Sequence, residues 1–229
     1  MYKYIVLDFG NVVVTPTTGD WNITPKFQEL IDMNKIDELE LDNAIMKYAY
    51  MFGEKMDTLE QEYDMFKRYY DRVLKKVKYP YYSEKIVDDI AYDRTYKHDK
   101  YRLCDNIYDE LAKLKEKYTL IMVTDNWPCV IPYMKDNNLY DYFDKIYVSS
   151  VYGVVKKQKV LFDYPINDYN IKPGEALFID DNEINLDAAK EKGFDVLLMD
   201  RYNENNKSKY KIINDLYNIG EEYEYRKRN

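Results

Sequence analysis

The sequence predicts an α/β protein: a doubly wound parallel (Rossmann-like) sheet with an all-helical segment inserted after its first strand. After about residue 100, apolar strand-like runs alternate with amphipathic helical patterns, which is typical of a parallel sheet covered by helices. One further apolar run precedes a long stretch in which only helical spacing is found. We therefore expect residues 1–15 and 98–229 to form the α/β core and residues 16–97 to form a helical domain.

The first strand is expected within residues 2–9, where Tyr4 to Leu7 form a continuous apolar run. Residues 15–20 form a turn cluster that we interpret as a linker. Helical spacing then continues from about residue 24 to residue 93. Thr24 before Pro25 fits a helix start, and Thr58 with Gln61 fits a capping box.

Four helices alternate with four strands in the second half of the chain. The helices are expected near residues 105–117, 128–137, 157–168 and 184–192, and the strands near 118–124, 146–149, 176–180 and 196–199. A last amphipathic helix is expected to carry Ile212, Ile213, Leu216 and Tyr217, and a charged tail at residues 221–229 to fray.

Composition excludes several classes of function. Among 229 residues, 42 are acidic and 34 are basic, so the net charge of −8 argues against nucleic acid or an anionic membrane as the partner. No apolar run approaches the ~18 residues of a membrane span, and no signal peptide is predicted at the N-terminus. Two cysteines, Cys104 and Cys129, do not make a disulfide scaffold, so a cytoplasmic location is expected.

The residue inventory also limits the chemistry. The single histidine, His98, leaves no basis for a His-rich zinc site and little for a Ser-His-Asp hydrolase. None of the seven glycines forms a dinucleotide-binding or P-loop motif. The expected partner is a small molecule, and the chain is expected to be a monomer or a homodimer.

Polar residues occur where the predicted strands end. Asp8 follows the first strand, Thr124 ends another, and Asp180 and Asp181 end a third, while Lys156 lies in a loop. Ligands of open parallel sheets bind at the carboxyl ends of the strands. Two carboxylate-bearing strand ends without a nearby histidine suit Mg²⁺, and a cation, a lysine and a hydroxyl together suit a phosphate dianion.

Four segments resemble, in order and over nearly the whole chain, the motifs of the haloacid dehalogenase (HAD) superfamily of phosphohydrolases. The segments are Leu7-Asp8-Phe9-Gly10-Asn11-Val12, Val123-Thr124-Asp125-Asn126, Gly153-Val154-Val155-Lys156 and the acidic run that begins Phe178-Ile179-Asp180-Asp181-Asn182. The inserted helices are similar to the cap domain of that superfamily. Each motif alone is weak, but all four in order are a specific signal.

The resemblance implies a role for each matched residue. Asp8 would be the nucleophile that forms an aspartyl-phosphate, with Thr124 and Lys156 as further catalytic residues. Phosphate would be bound by Thr124, Asn126, Lys156 and Asn11. Mg²⁺ would be held by Asp8, the Gly10 carbonyl, Asp181 and Asp180. The substrate would be a small phosphorylated metabolite.

Three positions depart from the usual motifs. Gly10 stands where an acid is usual, Lys157 replaces a proline, and Asn185 replaces the second acid of the fourth motif. The Asp-x-Gly-Asn form resembles a subgroup close to bacterial sugar-phosphate phosphatases, which makes a sugar phosphate one candidate substrate. A dehalogenase and a non-enzymatic binder of phosphorylated ligands stay open as alternatives.

Overall fold

The computed structural model describes residues 2–203, 207–217 and 219. Their larger sheet has six strands in the order β5-β4-β1-β6-β7-β8, and every neighbouring pair is parallel. These strands are β1 (Tyr4–Leu7), β4 (Thr119–Thr124), β5 (Lys145–Val148), β6 (Ala176–Asp180), β7 (Asp195–Met199) and β8 (Ile212–Ile213). The doubly wound α/β fold predicted from the sequence is confirmed.

Side-chain alternation along the central strands covers both faces of this sheet. In β1, Ile5 and Leu7 pack into one apolar cluster and Val6 packs into another, as the two-residue period of a strand requires. Strands β4 and β6 alternate in the same way. The layers outside the sheet contain α5 (Ile107–Lys115), α6 (Val130–Asp136), α7 (Ser149–Tyr152), α8 (Val160–Tyr169) and α9 (Glu183–Glu191).

Four α-helices lie within residues 25–96 and pack around a hydrophobic cluster of their own, to which Phe66, Tyr69 and Tyr70 contribute buried rings. They are α1 (Pro25–Leu30), α2 (Glu38–Tyr48), α3 (Leu59–Lys76) and α4 (Glu84–Tyr96). Thr24 caps α1, and the capping box of Thr58 and Gln61 begins α3, as the sequence predicted. We call residues 25–96 the helical block.

A small antiparallel ribbon joins the segments that precede and follow the helical block. It pairs β2 (Val14–Pro16) with β3 (Tyr101–Leu103), so the chain leaves and re-enters the α/β core at adjacent points. The linker predicted for residues 15–20 is therefore wrong at its start, because Thr15 and Pro16 are strand residues. Proline is tolerated here because this ribbon has only two strands and each is an edge.

The predicted last helix is also wrong. Ile212 and Ile213 form β8, which pairs in parallel with Leu198 and Met199 of β7. Adjacent β-branched residues favour a strand, and the open edge of β7 supplies hydrogen-bonding partners that a local pattern cannot reveal. The predicted fraying tail, residues 221–229, lies outside the described residues.

Candidate active site

The carboxyl ends of three adjacent strands bring the candidate residues together. Asp8 follows β1, Thr124 ends β4 and Asp180 ends β6, and these strands are neighbours in the sheet. A cavity of about 280 Å³ opens at this edge. Its lining includes the predicted residues Asp8, Gly10, Asn11, Thr124, Asn126, Lys156 and Asp181.

Lys156 is the buried cation of this edge. It begins a short 3₁₀ turn, Lys156–Gln158, and is 1% exposed. Its Nζ donates to Asp180 Oδ2 at 2.5 Å and lies 2.8 Å from Asp8 Oδ1. Burial lowers the pKa of Lys156, but the charges of Asp180, Asp8 and Asp125 outweigh burial and raise it overall. The buried lysine therefore stays protonated. Its neighbour Lys157 is exposed.

Asp180 is saturated with hydrogen bonds. It is fully buried and accepts from Lys156 Nζ, from the Asn182 N–H at 2.8 Å and from Asn185 Nδ2 at 3.2 Å. It is also not part of the cavity lining. This carboxylate is held in one orientation and in turn positions Lys156. Asn185, the departure from the usual fourth motif, acts here as a donor to Asp180.

Asp8 is more open than Asp180. It is 7% exposed, and its Oδ1 contacts Lys156 Nζ without the geometry of a hydrogen bond. Burial raises the pKa of Asp8, Lys156 opposes the rise, and the charges of Asp180 and Asp181 add to it. Asp8 Oδ1 thus contacts the Lys156 ammonium but accepts no well-aligned hydrogen bond from the described residues, which leaves it lone-pair capacity for a further partner.

The acidic residues suit a divalent cation. Ligand oxygens of Asp8, Asp180 and Asp181 all lie within 4.8 Å of one another. Asn11, in the left-handed region at φ 52°, donates from Nδ2 to Asp181 Oδ2 at 2.7 Å and orients that carboxylate. An all-oxygen set of this kind is what Mg²⁺ prefers, and its repulsion among carboxylates is what a cation relieves. The residues fit the metal.

The loop after β4 supplies a polar wall. Thr124 is 1% exposed, and Asn126 accepts from the Tyr101 hydroxyl at 3.2 Å. The Asn126 N–H donates to Ser149 Oγ at 3.1 Å, and Asp125 Oδ1 accepts from the Lys156 N–H at 2.9 Å. The loop is thereby tied to β3, to α7 and to the turn that carries the lysine.

The indole of Trp21 lies against Gly10. A Cβ placed on residue 10 would meet Trp21 Cζ2 at 3.3 Å, so a side chain at position 10 would press against the ring. Trp21 also lines the cavity. Trp21 therefore crowds position 10 from outside the first motif, and the cavity has an aromatic wall there.

Sequence reasoning gave no role to several residues of the cavity wall. Arg94, Tyr101, Asp125 and Trp127 also line it. Asp125 could have been found from its place between Thr124 and Asn126, but Arg94 and Trp127 carry no local signal. His98 is outside the lining, and its Nε2 lies 2.9 Å from Asp136 Oδ2.

Comparison with known sequences gives one family. A sequence model described as haloacid dehalogenase-like hydrolase matches residues 26–199. D-ribitol-5-phosphate phosphatase from Bacteroides thetaiotaomicron is 31% identical over 94 residues, which are 38% of this chain and 46% of that protein. The match thus spans less than half of the relative.

Solved structures share the fold. The HAD-hydrolase YfnB from Bacillus subtilis, bound to magnesium, has a TM-score of 0.68 at 17% identity and covers 100% of this chain and 99% of its own. L-2-haloacid dehalogenase from Xanthobacter autotrophicus has a TM-score of 0.63 at 13% identity, and the match covers 95% of this chain and 96% of that one. A HAD family enzyme from Bacteroides thetaiotaomicron, in complex with magnesium and inorganic phosphate, has a TM-score of 0.52 at 20% identity. The match covers 87% of this chain and 95% of that one.

Proposed function

The chain belongs to the haloacid dehalogenase-like hydrolase family, and from that premise we propose that it is a Mg²⁺-dependent phosphohydrolase of a small phosphorylated metabolite. One observation carries the proposal. A buried carboxylate, Asp8, lies in a small cavity with its Oδ1 2.8 Å from the Nζ of a buried lysine and with two further carboxylates nearby. That arrangement combines a nucleophile with the charges that a phosphoryl group needs.

In the proposed reaction, Asp8 attacks phosphorus and the P–O bond to the leaving group breaks. The resulting aspartyl-phosphate is then hydrolysed by water, which divides one difficult displacement into two easier ones. Lys156 stabilises the oxygens of the transferred group, and Thr124 and Asn126 offer hydrogen bonds from the β4 loop. Asp180 holds Lys156 in place throughout.

Asp8, Asp181 and the carbonyl of Gly10 are the proposed ligands of Mg²⁺, and Asp180 supports them. When bound, the cation supplies neutralising charge between a carboxylate nucleophile and an anionic phosphoryl group. Asn11 keeps Asp181 oriented by its hydrogen bond to Oδ2.

We propose that residues 16–97 act as a cap domain on the core formed by residues 1–15 and 98–229. Support comes from the separate hydrophobic cluster of the helical block and from the β2–β3 ribbon at its base. Arg94 of this block and Trp21, which precedes it, line the cavity, so the cap would select the substrate.

Because the relative from Bacteroides thetaiotaomicron is a D-ribitol-5-phosphate phosphatase, phosphorylated sugars and polyols are the first substrates to test. A dehalogenase would use Asp8 on carbon, and the fold alone does not separate the two reactions. The clustered carboxylates favour the phosphatase, since a reaction on carbon needs no cation.

The two free, buried cysteines suit the expected cytoplasmic location. None of the helices in the described part of the chain has the length and apolarity that crossing a bilayer requires.

The test is turnover of p-nitrophenyl phosphate and of a panel of phosphorylated metabolites, with and without Mg²⁺, by the wild type and Asp8→Asn. We expect turnover that needs both the cation and Asp8. A folded Asp8→Asn variant that retains more than a few per cent of wild-type activity would remove Asp8 from the role. Dehalogenation without metal would favour the alternative.

A further inference from the structure

A buried arginine, whose charge is opposite to that of the acidic cluster, forms part of the wall of the same cavity. Arg94 lies in the last turn of α4, is 4% exposed and lines the same cavity as Asp8 and Lys156. An arginine is protonated at all ordinary pH values, and taking its charge out of water is costly unless it gains partners. Its partners therefore need to be accounted for.

Few of the donors of Arg94 are used. Nη1 donates to the Trp21 carbonyl at 2.7 Å, and the buried Nε has no hydrogen-bond partner. No carboxylate of the described residues lies within 4.0 Å of the guanidinium. Its carbon lies 4.3 Å from the centre of the Phe66 ring and 5.3 Å from that of Trp127. Aromatic faces fix the plane of the fork but leave its N–H donors unsatisfied.

Glu62 does not supply the missing hydrogen-bond partner of Arg94. It is fully buried on α3, but its Oε2 accepts from the Cys129 N–H at 2.8 Å. A second buried cation, Lys100, lowers the pKa of Glu62 more than Arg94 does, and the Lys100 Nζ donates to the Arg94 carbonyl. Since no described carboxylate lies within 4.0 Å of the guanidinium, the positive charge of Arg94 remains beside the cavity. Lys156 differs from Arg94 because two carboxylates contact its Nζ.

We propose that Arg94 binds an oxyanion, a carboxylate or a second phosphate, on the part of the substrate that is remote from the transferred phosphoryl group. This proposal rests on the proposed phosphatase function and narrows its substrate class. A planar fork with free donors matches the two oxygens of a carboxylate or phosphate. The cavity then has two poles: the acidic cluster receives metal and phosphoryl group, and Arg94 receives the other end.

Three substrates with the same carbon chain test the proposal: 3-hydroxypropyl phosphate, 3-phosphooxypropanoate and propane-1,3-diyl bisphosphate. The readout is kcat/KM, or the inhibition constant against p-nitrophenyl phosphate where turnover is slow. We expect the wild type to prefer the two oxyanion compounds over the hydroxyl compound. Which of the two it prefers distinguishes a carboxylate from a phosphate.

Arg94→Gln should lose about 10- to 100-fold on the preferred oxyanion compound, the size expected of a charge-assisted hydrogen bond, and less than about threefold on 3-hydroxypropyl phosphate. Arg94→Lys should keep part of the preference. Arg68→Gln, an exposed arginine paired with Glu54, is the matched control and should change neither.

Equal losses on all three compounds would overturn the proposal and leave Arg94 as a support of the Trp21 loop. A wild type that handles the hydroxyl compound as well as both oxyanion compounds would overturn it without any variant. Failure of the phosphatase function is a different outcome, because then p-nitrophenyl phosphate itself is not hydrolysed.

Discussion

Two carboxylates of the site, a few ångströms apart, differ in what they can still bind. Asp180 accepts from Lys156, Asn182 and Asn185, whereas the buried Oδ1 of Asp8 contacts the Lys156 ammonium without accepting a well-aligned hydrogen bond. The saturated residue is fixed and the unsaturated one is available, which is why we assign attack to Asp8 and positioning to Asp180. At the scale of the residue, hydrogen-bond saturation supports the nucleophile role that the resemblance implies for Asp8 and favours a positioning role for Asp180.

Replacing Lys156 should be costly because two buried carboxylates contact its Nζ. Lys156→Met leaves Asp8 and Asp180 without their cation, and breaking a buried pair typically costs about 3–5 kcal/mol. We expect the free energy of unfolding in urea, measured in chelator, to fall by about that amount and turnover to be lost. Lys157→Met, at the exposed neighbour, is the control and should be silent. An equally small effect of both variants would contradict the geometry.

Gly10 and Trp21 should behave as a pair. An acid at position 10 would supply general acid catalysis, typically worth ~10²–10⁴-fold, but its side chain would press against the indole of Trp21. The wild-type rate should fall steeply as the leaving-group pKa rises across a series of aryl phosphates. Gly10→Asp alone should not flatten this dependence, whereas Gly10→Asp with Trp21→Ala should. Trp21→Ala alone is the control, and flattening by Gly10→Asp alone would show that the ring is no obstacle.

At the scale of the element, α3 of the helical block is joined to the start of α6 in the core. Glu62 Oε2 accepts from the N–H of Cys129, the residue that precedes α6. Burial raises the pKa of Glu62, against the opposing effects of Lys100, of the Cys129 hydrogen bonds and of Arg94. The link between the helical block and the core thus depends on a carboxyl group that is costly to ionise.

This raised pKa gives the stability of the protein a pH dependence with a definite sign. A folded-state pKa above the unfolded value means that the contribution is fully present below the unfolded pKa and is lost as the pH rises through the folded one. Glu62→Gln removes that titration. We expect the stability of Glu62→Gln relative to wild type to improve as the pH rises above about 4.5, measured by urea unfolding at several pH values. A relative stability that declines over this range would reverse the sign.

At the scale of the whole molecule, the fold brings together segments that are far apart in sequence. The adjacency of β4, β1 and β6 places Asp8 and Thr124 beside Asp181, and the helical block adds Arg94 to the same cavity. Binding of Mg²⁺ at the acidic cluster should therefore stabilise the whole fold, since ligand that binds only the folded state raises its stability by mass action.

The melting temperature should rise with Mg²⁺ concentration, and excess chelator should abolish turnover. At a concentration of about 100 times Kd, the gain corresponds to about 2.7 kcal/mol. Asp181→Asn should lose most of the shift, while Glu191→Gln, an exposed acid on α9 paired with Lys159, should keep it. Undiminished turnover in chelator would instead support chemistry without a metal.

Sequence patterns predicted the parallel sheet and the helical block because buried strands and capped amphipathic helices have strong local signals. They failed for β8, since the two isoleucines fit a helix or a strand until the edge of β7 is known. They also missed the β2–β3 ribbon, whose pairing joins residues more than 80 positions apart. Arg94 has no motif, and its place in the cavity follows only from the packing of α4.

The central claim is that Asp8 carries the phosphoryl group, and trapping of the intermediate tests it most directly. The enzyme with Mg²⁺ and a phosphate ester is quenched during turnover and treated with borohydride, which reduces an acyl phosphate to an alcohol. Peptide mass spectrometry should then find homoserine in place of Asp8, and only in samples that contained both substrate and cation. Steady turnover of the ester with Asp8 unreduced in every sample, alongside successful reduction of a control acyl phosphate, would contradict the account.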